Sequence, residues 1–169
     1  MTDEKTPFAL ADEEWEKGNY SEAFRLFMTL AERGDADAMS RVATMYGSGE
    51  GVETSFASCI EWGEKAVRAG SISSMINLGI SYRDAGQIES GRQWFKKAWL
   101  AGDCEAALEL AKLDAGADPV QMQLYLSAVI EDSYVSENSK AEAIELSRKY
   151  GLHLPSGAKS TSNRDGKIA

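Results

Sequence analysis

The chain has 169 residues, of which 43% are apolar and 27% are charged, a composition that is ordinary for a globular protein and excludes a disordered one. The net charge is −9, and Lys159, Arg164, Asp165 and Lys167 give residues 152–169 a charge of +2, so residues 1–151 carry −11. Such an acidic body repels nucleic-acid phosphates and anionic membranes, which argues against both as partners and favours a basic protein surface.

Helical periodicity runs along almost the whole chain, and capping signals mark several helix starts. Thr6-Pro7 and Asp118-Pro119 each place a capping side chain before a proline at the first helical position. Glycines at 34, 70 and 102 end three of the apolar patterns. The sequence therefore predicts nine helices and no strand. Their predicted ranges are 7–17, 20–33, 35–47, 54–69, 72–84, 88–101, 104–115, 119–132 and 136–150.

These helices repeat in pairs. The apolar pattern that ends at Gly34 returns before Gly70 and again before Gly102, and Tyr46 returns 36 residues later as Tyr82. A period of this size, built from antiparallel helix pairs, predicts an all-α protein with the architecture of an α-solenoid. We expect one helical-repeat domain over residues 1–151, with about three and a half helix pairs and a C-terminal helix. Residues 152–169 are mostly polar and are predicted to form a disordered tail.

The stretch from residue 38 to residue 70 resembles a Sel-one-like repeat, a relative of the tetratricopeptide repeat. That repeat has a helix ending in Gly-x-x-Tyr, a Gly-x-Gly-Val loop, a second helix with Ala-x-x-Trp-x-x-Lys-Ala-Ala, and a closing glycine. The matching residues are Ala43, Tyr46, Gly49, Gly51, Val52, Cys59, Trp62, Lys65, Ala66 and Gly70. A second copy matches at Leu78, Gly79, Tyr82, Trp94, Lys97, Ala98 and Gly102, without the loop. The resemblance covers roughly residues 8–116 and implies a protein that binds other proteins and has no chemistry of its own.

Few residues could support catalysis. Cys59 falls where the other repeats have Ala23 and Gly91, so we expect a buried, inert thiol there. Cys104 falls in a first helical turn, which lowers a thiol pKa, but no histidine or second cysteine lies near it in sequence. His153 is the only imidazole and lies next to the predicted tail. We predict no catalytic residue, cofactor or metal, and hence no enzyme.

Two alternatives to protein binding remain. Carboxylates such as Glu13, Glu16 or Asp84 could cooperate in a small hydrolase. An enclosed apolar cavity could instead make the chain a ligand-responsive regulator. The glycine-rich run at residues 47–51 is not a phosphate loop, because it follows a helix and lacks the Lys-Ser/Thr of that motif.

Candidate partner-binding positions follow from the stacking of tetratricopeptide repeats, in which the first helix of each pair lines the groove. If Val42, Leu78 and Leu110 pack inward, the positions two residues before and after them face the groove. The predicted groove residues are Phe8, Asp12, Ser40, Thr44, Ile76, Ile80, Leu108 and Lys112, with Arg83 and Asp84 one turn further on. The apolar members would form an exposed stripe, unless the C-terminal helices cover it. Trp62 and Trp94 are expected in the core.

Trp15 has no aromatic counterpart in the other repeats, which makes it either a binding anchor or a packing residue at the N-terminal end. Asp12 and Glu16 flank it. A freestanding acidic repeat protein of this kind resembles a bacterial immunity protein that binds and blocks a basic toxin domain. A general adaptor or regulatory scaffold is the alternative. Because we find no signal peptide and no membrane-spanning stretch, we expect the protein to be cytoplasmic.

Overall fold

The computed structural model describes residues 5–154. This part of the chain forms nine α-helices and no strand, as the sequence predicts. The helices are α1 (Pro7–Glu16), α2 (Tyr20–Glu32), α3 (Ala36–Ser48), α4 (Phe56–Arg68), α5 (Ser73–Asp84), α6 (Ile88–Leu100), α7 (Glu105–Leu113), α8 (Pro119–Glu131) and α9 (Glu137–Lys149). Each predicted range differs from the observed one by no more than two residues at either end.

Local signals account for these starts and stops. The backbone N–H of Ala9 donates to Thr6 Oγ1 (3.2 Å) at the start of α1, and that of Ala38 donates to Asp35 Oδ1 (2.9 Å) at the start of α3. These bonds satisfy amides that have no partner within the helix. Gly34 follows α2 with φ +96°, a conformation that costs a residue with a side chain about 1 kcal/mol or more.

The helices divide into two compact units, residues 1–103 and residues 104–169. In the first unit, α1 packs on α2, α3 on α4 and α5 on α6, and α3 also contacts α5. Its core contains the fully buried Phe27 and Val42. The prediction of one domain over residues 1–151 stays a prediction, and the predicted tail lies outside the described residues from residue 155 onward.

The expectation that Trp62 and Trp94 lie in the core is wrong. Both indoles are only half-buried, and a lysine three residues later covers each of them, with Nζ 4.0 Å from the Trp62 ring centre and 3.8 Å from that of Trp94. Phe27 and Phe95 are the aromatic residues with 0% exposure. Phe95 follows Trp94 directly in the sequence. One step of about 100° around the helix therefore separates the buried Phe95 from the half-buried Trp94.

In the second unit, α7 packs on α8 and α8 on α9. Asp118 caps α8 by accepting from the N–H groups of Val120 (3.1 Å) and Gln121 (3.0 Å), as its position before Pro119 predicts. The chain after α9 returns to α8, where Gln123 Nε2 donates to the carbonyl oxygen of His153 (2.6 Å). Among residues 5–154, no helix is both long and apolar enough to span a bilayer.

Candidate functional site

An open groove of about 560 Å³ lies between α3 and α5, within the first unit. Neutral polar and aromatic side chains make up most of its wall. The lining residues are Thr44, Tyr46, Gly47, Ser48, Thr54, Phe56, Cys59, Asn77, Ile80, Ser81, Asp84 and Ala85. The groove is therefore built from the two first helices of neighbouring pairs, together with the connection from α3 to α4.

That connection is fixed by backbone packing at Gly51. Its φ is +74°, and a Cβ atom there would overlap the carbonyl group of Tyr20 and lie 2.7 Å from the amide nitrogen of Ser21. Only glycine allows this approach. At the neighbouring residue, Glu50 Oε2 accepts a hydrogen bond of 3.1 Å from Trp15 Nε1. The connection is thus held against the preceding helix pair, and Phe56 begins α4 at the edge of the groove.

Two aromatic side chains line the groove next to the connection. Phe56 meets Tyr82 edge to face, with ring centres 5.6 Å apart, and Tyr46 meets Phe24 in the same way at 5.3 Å. Such edge-to-face pairs hold the rings in defined orientations. Burial raises the pKa of Tyr82, and the negative charge of Glu64 raises it further. Tyr82 is therefore neutral at physiological pH.

The polar groups of the groove present acceptors, because several of their protons are already used within the fold. Thr44 Oγ1 donates to the carbonyl oxygen of Ser40 (3.1 Å), and Ser81 Oγ donates to that of Asn77 (2.9 Å). Asn77 Nδ2 donates to Ser40 Oγ (3.4 Å). Cys59 Sγ lies 3.3 Å from Ser81 Oγ, and since that hydroxyl already donates to Asn77, the thiol is the donor.

Asp84 supplies the negative charge at one end of the groove. Its side chain is 63% exposed, and Arg83 contacts it through Nε and Nη2, each 3.0 Å from the same oxygen, Oδ1. An exposed ion pair of this kind stabilises the fold little and can exchange partners.

Cys59 is 4% exposed, which confirms the predicted buried thiol.

A shallower cleft of about 350 Å³ adjoins the groove, and Thr44 and Asn77 line both. The cleft is lined by Phe8, Asp37, Ser40, Arg41, Thr44, Ser73 and Asn77. Arg41 Nη2 lies 3.0 Å from Asp12 Oδ1, and its guanidinium lies 5.6 Å from the centre of the Trp15 ring. The cation of the cleft is therefore engaged by α1.

The structure brings together about half of the predicted groove residues. Phe8, Ser40 and Thr44 line the cleft, while Thr44, Ile80 and Asp84 line the groove. Ile76 is half-buried and lines neither. Asn77 takes its place, since α5 presents the stripe of residues 73, 77, 80, 81 and 84. On α5 the structure thus places Ile80 and Asp84 in the groove wall, with Asn77 rather than Ile76 beside them.

Three of the remaining candidates lie in α1 or next to Asp84. Trp15 is half-buried and packs on the core of the first unit, so the structure favours the packing alternative for it. Asp12 pairs with Arg41, and Glu16 is exposed. Arg83 neighbours the groove through its contact with Asp84.

The last two candidates, Leu108 and Lys112, lie in the second unit. Leu108 is 4% exposed and so cannot belong to an exposed stripe. At this position the structure favours the alternative in which the predicted apolar stripe is covered. Lys112 Nζ lies 2.8 Å from Glu109 and 2.9 Å from Glu142. Burial acts to lower the pKa of Lys112, but hydrogen bonds to the two carboxylates outweigh it and raise the pKa above its ordinary value. Lys112 therefore ties α7 to α9.

Lysine contacts lower the pKa of two N-terminal carboxylates, Glu13 and Glu14. A hydrogen bond from Lys5 is the main cause that lowers the pKa of Glu13, and one from Lys17 lowers that of Glu14. A lowered pKa favours the ionised form of both groups, whereas a general acid must carry a proton. Within residues 5–154, no group of three or more histidine, cysteine, aspartate or glutamate side chains is placed to hold a metal ion. That the protein has no metal, cofactor or catalysis stays a prediction.

Comparison with known proteins gives the fold. No family model matches the chain, and no curated protein matches it. A solved structure of a Sel1 repeat protein from Oxalobacter formigenes superposes with a TM-score of 0.62 at 19% identity, over 85% of this chain and 72% of that one.

A second solved structure is that of c5321, a protective antigen present in uropathogenic Escherichia coli strains that displays an SLR (Sel1-like repeat) fold. It superposes with a TM-score of 0.53 at 19% identity and covers 95% of this chain, which spans 50% of that protein. The chain has a Sel1-like repeat fold. This confirms the α-solenoid predicted from the repeat period, and at this identity the likeness concerns the fold alone.

Proposed function

We propose that this Sel1-like repeat chain acts by binding another protein in the groove between α3 and α5. One observation carries the proposal: an open groove of about 560 Å³ that places Tyr46, Phe56 and Ile80 beside the polar side chains of Thr44, Asn77 and Ser81. Segments of a partner protein bind in such grooves through apolar anchors and a few directional polar contacts. The groove is open to solvent and its walls are mostly neutral, which supports a binding role over hydrolysis.

The charge of the chain indicates the partner's chemistry. Residues 1–151 carry −11, and a surface of opposite sign would be attracted over a distance of about 10 Å at 0.1 M salt. A toxin domain that binds nucleic acid must be basic, so an immunity protein that blocks such a domain in the cytoplasm fits this charge. A general adaptor is the second candidate, supported by the repeat architecture.

Blocking the groove tests its role. Thr44→Trp should fill it, whereas Thr29→Trp is a matched control, because Thr29 is exposed on α2 and also donates to the carbonyl four residues earlier (2.9 Å). Both variants and the wild type serve as bait in extracts of the native host, followed by mass spectrometry. We expect a small basic protein with the wild type and Thr29→Trp, and its loss with Thr44→Trp.

Other outcomes separate the alternatives. Equal recovery with Thr44→Trp would place the interaction elsewhere and contradict the proposed site. A large scaffold without any basic partner would favour the adaptor. With a purified partner, surface plasmon resonance should show an on-rate that falls about tenfold between 0.1 and 1 M salt, while the off-rate changes less.

A further inference from the structure

We infer that the groove between α3 and α5 accepts an arginine side chain of the partner, next to Asp84. This rests on the proposed function and specifies which residue type the groove selects. Three independent features of the groove lead to it: its hydrogen-bond polarity, its uncovered aromatic rings and the geometry of its carboxylate.

Three polar groups of the groove favour a ligand that donates hydrogen bonds. Thr44 and Ser81 donate to carbonyl oxygens of their own helices, so their hydroxyl oxygens can act toward a ligand only as acceptors, and that of Ser81 already accepts from Cys59. The amide nitrogen of Asn77 donates one of its two protons to Ser40, and its carbonyl oxygen is a further acceptor. A ligand rich in donors satisfies these groups, and the methylene stem of an arginine can pack on apolar groove residues such as Phe56 and Ile80. A carboxylate ligand would meet acceptors and the charge of Asp84.

The aromatic rings favour a guanidinium over an ammonium. Elsewhere in the first unit, cations of the chain itself cover Trp15, Trp62 and Trp94. No side chain among residues 5–154 places a cation over Tyr46 or Phe56, which line the groove. A planar guanidinium stacks on such rings and also presents five donors in a rigid fork, while lysine presents a compact charge.

Asp84 completes the site. Both contacts that Arg83 makes with Asp84 use Oδ1, so Arg83 does not engage Oδ2, and the side chain of Asp84 is 63% exposed. A carboxylate accepts a guanidinium best through both oxygens. Arg83 is therefore a competitor of the incoming arginine within the chain itself, and a partner that supplies a better-placed guanidinium replaces it.

Defined peptides test the inference without a known partner. The probe is the peptide acetyl-Gly-Ala-Arg-Ala-Gly-amide, compared with peptides that carry citrulline, lysine, leucine or glutamate at the central position. The measurement is the shift of ¹H–¹⁵N NMR signals of the full chain during titration. We expect saturable shifts at Thr44, Ser81 and Asp84 with the arginine peptide, and binding at least about tenfold weaker with citrulline, which keeps the shape and loses the charge.

Three variants sharpen the test. Asp84→Asn should weaken arginine binding about tenfold and leave the citrulline peptide unaffected. Arg83→Ala should tighten arginine binding several-fold by removing the competitor. Asp37→Asn, in the adjoining cleft, is the control and should leave the affinities for the arginine and citrulline peptides unchanged. Because the side chain of Asp84 is exposed, Asp84→Asn should fold like the wild type. The comparison of peptides uses the wild-type chain and does not depend on any variant.

Several results would overturn the inference. Equal binding of arginine and citrulline, or tightest binding of leucine, would show that the groove binds without selecting a cation. NMR shifts spread over the whole acidic surface would also contradict the inference. So would the absence of shifts at the groove residues at millimolar concentrations of the arginine peptide. The proposed function is judged separately, by the effect of Thr44→Trp on partner recovery, so the two can fail independently.

Discussion

The two helix pairs that flank the groove, α3–α4 and α5–α6, share the repeat pattern but are connected differently. Residues 49–55 join α3 to α4, whereas residues 85–87 are enough to join α5 to α6. The longer connection packs on the start of α2 through Gly51 and contacts Trp15 through Glu50. The extra residues therefore attach one pair to its predecessor and place Thr54 and Phe56 in the groove wall.

The pairs also differ in how their helices interlock. In α5–α6, the ring of Phe95 occupies the space in front of Gly79, so a large residue of the second helix meets a small residue of the first. In α4, Gly63 stands one residue after Trp62, as Phe95 stands after Trp94, and Leu78 of the following pair fills the space there. One pair is thus locked internally and the other is locked to its successor, although both carry the same Trp-x-x-Lys motif.

The largest expected effect concerns the connection. Gly51→Ala should lower the free energy of unfolding by about 3 kcal/mol, because it adds an overlap with Tyr20 to the strain of a positive φ. Gly86→Ala is the matched control in the short connection. Its φ is +77° with nothing within 4 Å of the added atom, so it should cost only about 1 kcal/mol. Urea denaturation measures both, and equal losses would mean that the backbone packing at Gly51 is unimportant.

The next effect concerns the interlocking. Gly79→Ala should destabilise by about 2 kcal/mol, because the new methyl group meets the rigid ring of Phe95. Gly63→Ala should change stability by less than about 1 kcal/mol, since Leu78 can adopt another rotamer and alanine favours the helix over glycine. Thermal and urea unfolding of the two variants decide this. A larger loss for Gly63→Ala would reverse the assignment of the rigid contact.

The smallest effect concerns the side-chain contact of the longer connection. Glu50→Ala should cost about 1 kcal/mol and shift the NMR signal of the Trp15 indole N–H, because it removes the acceptor at 3.1 Å. Glu53→Ala, an exposed neighbour in the same connection, should change stability by less than about 0.5 kcal/mol and leave that signal in place. An unshifted indole signal in Glu50→Ala would show that the bond is absent in solution.

The helices were predictable because their signals are local. A capping side chain such as Thr6 or Asp118 and a glycine such as Gly34 act within one turn, so sequence spacing alone places the helix ends. The repeat period likewise reflects residues that contact their immediate neighbours in the chain. These signals were enough to predict the fold, although no family model matches the chain.

The groove was predictable only in part, because its lining depends on how far each helix is rotated. Ile76 and Asn77 differ by one step of about 100° around α5, and only Asn77 lines the groove. The same applies to Trp94 and Phe95, since a half-buried indole covered by Lys97 has the same spacing as a core residue. Phe56 was missed because it begins α4, whereas the predicted groove positions were taken only from the first helix of each pair.

The packing of Gly51 on Tyr20 has a consequence for repeat engineering and for growth by gene duplication. Repeat arrays are commonly lengthened by inserting further copies of a unit, which requires each unit to tolerate any neighbour. The α3–α4 pair does not meet this condition, because its connection needs the start of α2 and the indole of Trp15 beside it. Copied to another place in the array, it would lose both supports, so the order of the units is part of what this sequence encodes.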